Sequence, residues 1–522
     1  MKAGKKLIGA IIAVVAVVGV ILIASGSLAK GMHKTFDSPK KYFAYVEKQT
    51  LLSKKDNVLR NVYENLSDTV TKEDVAMEEQ ITLTIGDEGQ SYLRLLKDLG
   101  ADLSWLNSAG IKYYVNTKDN DVEFSTTLYL NEKEILNPTF ILDSQKKAVY
   151  AKIPELTKDV AKYDLEDFSE QFDEIFTKLE KFRKAYPDNK DVDKLFSKYV
   201  KLVLSCVENV EKEKADFECD EVTQKCTKLK VTIKDKDIQN IIKTVCKEAS
   251  KDKDLKKLFE ELCKSLEIDD FDKYYDRFVE AMESMEENAE EIELEGKLVV
   301  EVYVNGDAEI IGRVYKYVPD EGNDVTVKIG SATKGSKRGF EASFKEGEHV
   351  AKFAGTGKLK GNKVTGEYTL KVDGEKYFAI NVEKLDLGAL VDGYVKGHFS
   401  CEFDGNMGMI TSLLPRQIRR NVSNFSDMDM KLGLDLNVDT SAKKHNIDLG
   451  VLKDGEELFR IAFKGTVKSA SKVKIPSKAV DVTENSDLQD FLGDLSWDSL
   501  LDKLEDADVP KEYRDMMKEI MD

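Results

Sequence analysis

Tryptophan and histidine are scarce in this chain, with two and four residues among 522, and each scarcity removes a class of chemistry. Trp105 and Trp497 are too few for the aromatic platforms of a carbohydrate-active surface, and Trp497 falls on a helical stripe. His33, His349, His398 and His445 are scattered, three of them far from the cysteines, and no Cys-x-x-Cys occurs. A zinc site draws its ligands together at short spacings, so no metal is expected. The G-x-S-x-G elbow and the His-Glu-x-x-His helix are missing as well. Gly355-Thr-Gly357-Lys-Leu-Lys-Gly361 lacks the spacing of a phosphate-binding loop and lies between two predicted strands, so it reads as a hairpin. No run of five basic residues exists and the net charge is −18, which excludes nucleic acid as a partner. No catalytic residue and no cofactor is expected.

Long apolar runs are also missing, with one exception. Leu7 to Ala24 contains no charge or amide, and as a helix it rises about 27 Å, close to the thickness of a bilayer core. Lys2, Lys5 and Lys6 precede it. We expect an N-terminal transmembrane anchor over 1–30. The alternative is a signal peptide cut after Ser27-Leu28-Ala29, although the apolar core is longer than a signal usually carries. Lys30, Lys34, Lys40 and Lys41 balance the leading lysines, so charge bias alone does not orient the chain. The remainder is polar, with 34% charged residues in the chain and a mean hydropathy of −0.40. A water-soluble body held at a membrane, outside the cytoplasm, is the expectation.

Cysteine is sparse but even in number: Cys206, Cys219, Cys226, Cys246, Cys263 and Cys401. In an exported chain that count suits disulfides. Cys219 and Cys226 occupy the two arms of a predicted hairpin, and Cys246 and Cys263 adjoin the apolar stripes of consecutive helices. Cys206 and Cys401 remain as the third pair. Six buried thiols are the rival reading.

The rest of the chain divides by periodicity. Ser38-Pro39 reads as an N-cap followed by proline in the first turn, opening a helix that carries Tyr42, Phe43 and Val46 within a helical stalk over 31–77. An α+β lobe over 78–290 starts with period-two strands such as Gln80 to Ile85 and Val122 to Leu130, with one short helix near Ser91 to Leu99. It continues as helices marked by Leu165, Phe168, Phe172, Ile175, Phe176, Leu179 and Phe182, and by Phe271, Tyr274, Tyr275, Phe278, Met282 and Met285. Core packing explains both stripes better than a cofactor box. An antiparallel β lobe over 291–480 follows. Met430, Leu432, Leu434, Leu436 and Val438 point one way, and Asn305-Gly306, Asp373-Gly374 and Asp454-Gly455 supply tight turns. Amphipathic helices over 481–522 carry Leu500, Leu504, Tyr513 and Met517 as cover for part of the sheet. The fold class is α+β, with large antiparallel sheets, polar on one face, packed against amphipathic helices.

Two motifs invite chemistry and do not sustain it. His398 and Cys401 lie three apart on a strand, which sets them on opposite faces. Asp188, Asn189, Asp191 and Asp193 mimic a calcium loop but lack its central glycine and closing glutamate, so they read as the polar start of a helix.

The anchor followed by Ser38-Pro39-x-x-Tyr42-x-x-x-Val46-Glu47, with Cys226-Thr-Lys-Leu-Lys-Val-Thr-Ile233 and the strand pair Ile292 to Tyr317, resembles an uncharacterised family of single-pass, membrane-anchored surface proteins of Gram-positive anaerobic bacteria. That family has no assigned activity, so the resemblance implies an anchor and no site residues. In architecture alone the sheet-plus-helix layout is similar to half-barrel lipoprotein- and lipid-carrier domains, which implies an apolar sheet face able to hold an acyl chain. The functional expectation is a non-enzymatic envelope binding protein for a lipid, another hydrophobic molecule or an envelope protein. The alternatives are an envelope hydrolase, or a purely structural or protein-interaction ectodomain.

Overall fold

The computed structural model describes residues 38–52, 74–97, 102–165, 189–266, 268–403 and 431–521, with isolated positions at 61–65 and 174–186. The Leu7–Ala24 run and its expected anchor lie outside the described residues, as does most of the helix expected over Leu165 to Phe182. Among the described residues no helix is long and apolar enough to cross a membrane.

The chain runs through α1 (Pro39–Leu52), β1 (Val75–Ile85), α2 (Asp87–Lys97), β2 (Ser108–Lys118), β3 (Asp121–Leu130), β4 (Lys133–Leu136), β5 (Thr139–Asp143), β6 (Ala148–Lys152) and β7 (Ala161–Asp164). Next come α3 (Asn189–Cys206), the hairpin β8 (Val210–Cys219) and β9 (Val222–Ile233), then α4 (Asp235–Ala249), α5 (Lys253–Ser265) and α6 (Phe271–Glu287). A meander follows: β10 (Gly296–Val304), β11 (Ile310–Pro319), β12 (Val325–Lys334), β13 (Lys337–Glu346), β14 (His349–Lys360), β15 (Lys363–Val372) and β16 (Glu375–Asp386). The last part holds α7 (Leu387–Val391), β17 (Lys396–Phe403), β18 (Leu432–Ser441), β19 (Lys444–Lys453), β20 (Glu456–Lys468), β21 (Val480–Asp481), α8 (Asn485–Gly493), α9 (Asp498–Asp506) and α10 (Lys511–Met521). The α+β class and the antiparallel sheets are as expected; the two-residue β21–β7 pairing is parallel.

The described chain forms two compact units, and neither matches the lobes expected over 78–290 and 291–480. The first comprises 1–71 and 179–397, the second 72–178 and 398–522. Strand pairing explains the difference. Residue 290 is no boundary, because β9 pairs with β10 from Leu298–Ile233 to Val304–Thr227. Strand β1 pairs on one side with β2 and on the other with β20, so strands from the two ends of the chain share one sheet. Long-range pairing leaves no trace in local periodicity.

In the first unit β8 to β16 pair in sequence order. Helix α1 begins as expected, with Ser38 Oγ accepting the Lys41 N–H at 3.3 Å. It is no stalk: Phe43 and Val46 pack on Leu229, Val231, Val302, Val304 and Ile310. Fully burying such side chains contributes about 1.5–3 kcal/mol each. Glu47 follows them into the core and meets Arg313 in a double hydrogen bond, 2.5 and 2.8 Å. Asp252 caps α5 by accepting the N–H groups of Asp254 and Leu255, while Tyr199 donates to it at 2.9 Å. The α6 stripe packs in part: Tyr275 is buried, stacked on Phe271 and close to Phe259 and Phe278, whereas Tyr274 and Met285 stay exposed.

In the second unit the strand order is β18-β19-β20-β1-β2-β3-β5-β6-β7. The turns Asp119-Asn120 and Asp454-Gly455 have both central residues at positive φ, as a type I′ hairpin demands, and Asp373-Gly374 in the first unit does the same. Asn305-Gly306 instead opens a five-residue loop between Val304 and Ile310, where Asn305 Oδ1 accepts the N–H groups of Asp307 and Glu309. At the C-terminal end Leu500 and Leu504 pack on Ile135 and Leu156, beside Trp105 and Tyr513.

Candidate functional site

The cysteines do not form the expected staples: all six are free thiols. In the β8–β9 hairpin Cys219 faces Val222 and Cys226 faces Ala215. The two sulfur-bearing residues share a face but stand four positions apart along β9, about 13 Å at 3.3 Å per residue, beyond the reach of a bridge. Burial pushes the Cys219 thiol up to about 12 and the Cys226 thiol up to about 11. Cys246 and Cys263 are buried on α4 and α5 without joining, and Cys206 and Cys401 belong to different units. These are packing residues.

His398 pairs through Nε2 with Asp435 of β18, not with Cys401. Asp435 also accepts from Arg460 at 3.1 Å, and Arg460 reaches Asp448 and Glu457 as well. Burial pushes the Asp435 carboxyl up, but hydrogen bonds from His398 and Arg460 outweigh it and hold the group below its ordinary value. Gly450 stands between Asp435 and Arg460 in register. A Cβ there would lie 2.7 Å from Arg460 Nη2, so glycine lets the two side chains meet across the middle strand. This network occupies the polar face. Of the calcium-loop mimic, Asn189, Asp191 and Asp193 form the start of α3, as expected, with Asp191 bound to Lys257 at 2.9 Å, while Asp188 lies outside the described residues. Among the described residues no His/Cys/Asp/Glu cluster suits a metal.

The opposite face of the same sheet is apolar over successive registers. Val438, Ile447, Phe463, Ile81, Ile111 and Leu128 lie side by side across six strands. At about 4.8 Å per strand that row is about 24 Å long. Two residues along, Leu436, Leu449, Ile461, Leu83, Ala109 and Leu130 form a second row. On the other side the ladder is polar: His445 Nε2 meets Glu79 Oε2 at 2.6 Å across Gly465. A further apolar row follows, Val467, Met77, Val115, Phe124 and Phe140. Phe463, Ile111, Leu128, Phe124 and Phe140 keep 37–42% of their surface open. Alternation in the sequence marked each strand's apolar side, but the alignment of rows needs the register.

No family model matches the chain, and no curated protein or solved structure matches it either.

Proposed function

We propose that this protein is a membrane-anchored, extracytoplasmic binding protein of the cell envelope, without enzymatic activity, that takes up a lipid or another hydrophobic molecule on its apolar sheet face. The observation that carries this reading is the set of aligned apolar rows in the second unit, with five large side chains left substantially open. Open apolar surface on either side of the His445–Glu79 ladder marks an interaction site. The anchor rests on the Leu7–Ala24 run and its flanking lysines. The outward orientation rests on the likeness to anchored surface proteins; six free thiols lend it no support.

Native mass spectrometry of the full chain, extracted from membranes in a detergent of known mass, tests the proposal. A stoichiometric adduct of lipid mass, lost on denaturation, is expected. A bare protein mass refutes ligand uptake. Co-purification of an envelope protein in its place would make the same face a protein interface. Protease shaving of intact cells tests orientation, and protection of the body from digestion would overturn it.

A further inference from the structure

Among the described residues of the first unit, one deeply buried charge has no carboxylate in contact with it. Glu341 is buried with Lys328 at 3.0 Å and Lys352 at 3.3 Å, and Arg313 has Glu47. Arg338 is different. It is 7% exposed, and its hydrogen bond is to a neutral hydroxyl, Nε donating to Ser331 Oγ at 2.8 Å. Among the described residues no carboxylate pairs with it. The charge of Glu309 reaches it from further away, and Asn305 Nδ2 already binds Glu309 at 2.8 Å. Burying an ion without a counter-ion in contact is costly, so such a group favours an anionic partner.

The surroundings say what kind of anion fits. Arg338 faces Gly357 in register, and Gly357 faces Gly366, so two strands beside the guanidinium present no side chain. Tyr368 Oη fills that gap, lying 2.9 Å from where a Cβ on Gly357 would be. On the same face Phe340, Phe353 and Tyr368 pack together with ring centroids 6.2–6.4 Å apart. Leu370 lies opposite Phe353 and Phe378 opposite Leu370, extending the apolar surface across the sheet. The site is one cation set into an aromatic and aliphatic field.

We propose that Arg338, with Ser331 and Tyr368 beside it, binds the carboxylate of a single-chain fatty acid whose tail lies along Phe353, Leu370 and Phe378. A monoanion neutralises one arginine, whereas a phosphate monoester would bring surplus negative charge into an apolar setting. With Nε held by Ser331, the terminal nitrogens of the guanidinium fork are left to pair with two carboxylate oxygens. The tail's place rests on the reading of apolar sheet faces as ligand surfaces; the head group's rests on Arg338 alone.

Equilibrium dialysis of the full chain against labelled oleate, oleyl alcohol and dodecyl phosphate at about pH 8 tests this. Oleate should be retained at least about tenfold more tightly than oleyl alcohol, a charge-assisted bidentate contact being the difference. Arg338→Gln should abolish that preference and leave alcohol binding unchanged. Equal retention of oleate and alcohol by the unaltered protein overturns the Arg338 site but leaves the hydrophobic-ligand reading standing. Retention of none of the three overturns both. Tighter binding of the phosphate than of oleate overturns the carboxylate assignment. The comparison in the unaltered protein decides the matter even if Arg338→Gln fails to fold.

Discussion

Replacing Glu47 by alanine should release α1 from the first unit. Glu47 and Arg313 side chains are 5% and 12% exposed, and two hydrogen bonds of 2.5 and 2.8 Å join them. Burial works to lower the Arg313 pKa, but the Glu47 charge and hydrogen bonds outweigh it and raise the value. Arg313 remains a cation when its partner is removed, because a guanidinium keeps its proton even when buried, and it stands beside the Val302 and Val304 cluster. Removing one member of a buried pair costs about 3–5 kcal/mol, far more than the pair itself adds over apolar residues of similar size. Glu47→Ala should therefore lower the urea stability of the first unit by about 3–5 kcal/mol. Hydrogen exchange in peptides spanning 39–52 should accelerate before exchange in β12 to β15. The double variant Glu47→Met, Arg313→Met should recover most of the loss. A cost below about 1 kcal/mol, as for an exposed pair, would refute the assignment of α1 to the core. So would additivity of the two single changes.

Further consequences can be read from the same geometry. Gly465→Ala places a Cβ about 2.1 Å from His445 Cε1 and 2.3 Å from Glu79 Oε2. It should cost about 1–3 kcal/mol by overpacking, and His445→Ala in that background should restore part of it; no rescue would mean the strain lies elsewhere. Because the folded Asp435 carboxyl is held low, its contribution is present above the unfolded value near about 3.9 and is lost as pH falls through the folded one. Asp435→Asn should lower the urea midpoint at neutral pH and flatten its decline in acid, and parallel pH profiles for the two proteins would contradict this. With Cys219 near 12 and Cys226 near 11, both thiols are almost fully protonated at about pH 8. A chromogenic disulfide reagent should leave these two unmodified in the native chain and count six thiols in urea; fewer than six would restore the disulfide argument.

Local features of this fold were legible and distant ones were not. The Ser38-Pro39 cap, the Tyr42/Phe43/Val46 stripe and the α6 aromatics act within one or two turns, so a short window suffices. Asp373-Gly374 and Asp454-Gly455 carry their turn type in two residues. Asn305-Gly306 looks identical in a window of two, yet its loop is set by the Asn305 side chain reaching residues 307 and 309. The Cys219–Cys226 bridge failed on register, which depends on the hairpin's end at Cys219–Val222. The unit boundaries failed because β1 selects β20 through a pairing no local pattern encodes. The apolar rows were half legible: alternation showed which residues share a face, and only the sheet showed that Phe463, Ile81 and Ile111 adjoin. Arg338 gave no signal at all, since an arginine beside Lys337 near a hairpin end reads as solvated.

The β1–β20 pairing also constrains how the chain is made. Ile81 meets Phe463 in register, so at about 5–20 residues per second a ribosome takes roughly 20–80 s to deliver the partner strand. Throughout that interval β1, β2 and β3 can pair among themselves, but the far edge of β1 has open N–H and C=O groups bordered by Ile81, Leu83 and Ile85. An unpaired apolar edge is a template for pairing with another chain. Synthesis thus exposes the middle of the finished sheet as a temporary border, and the entire first unit beyond residue 179 must emerge before that border closes.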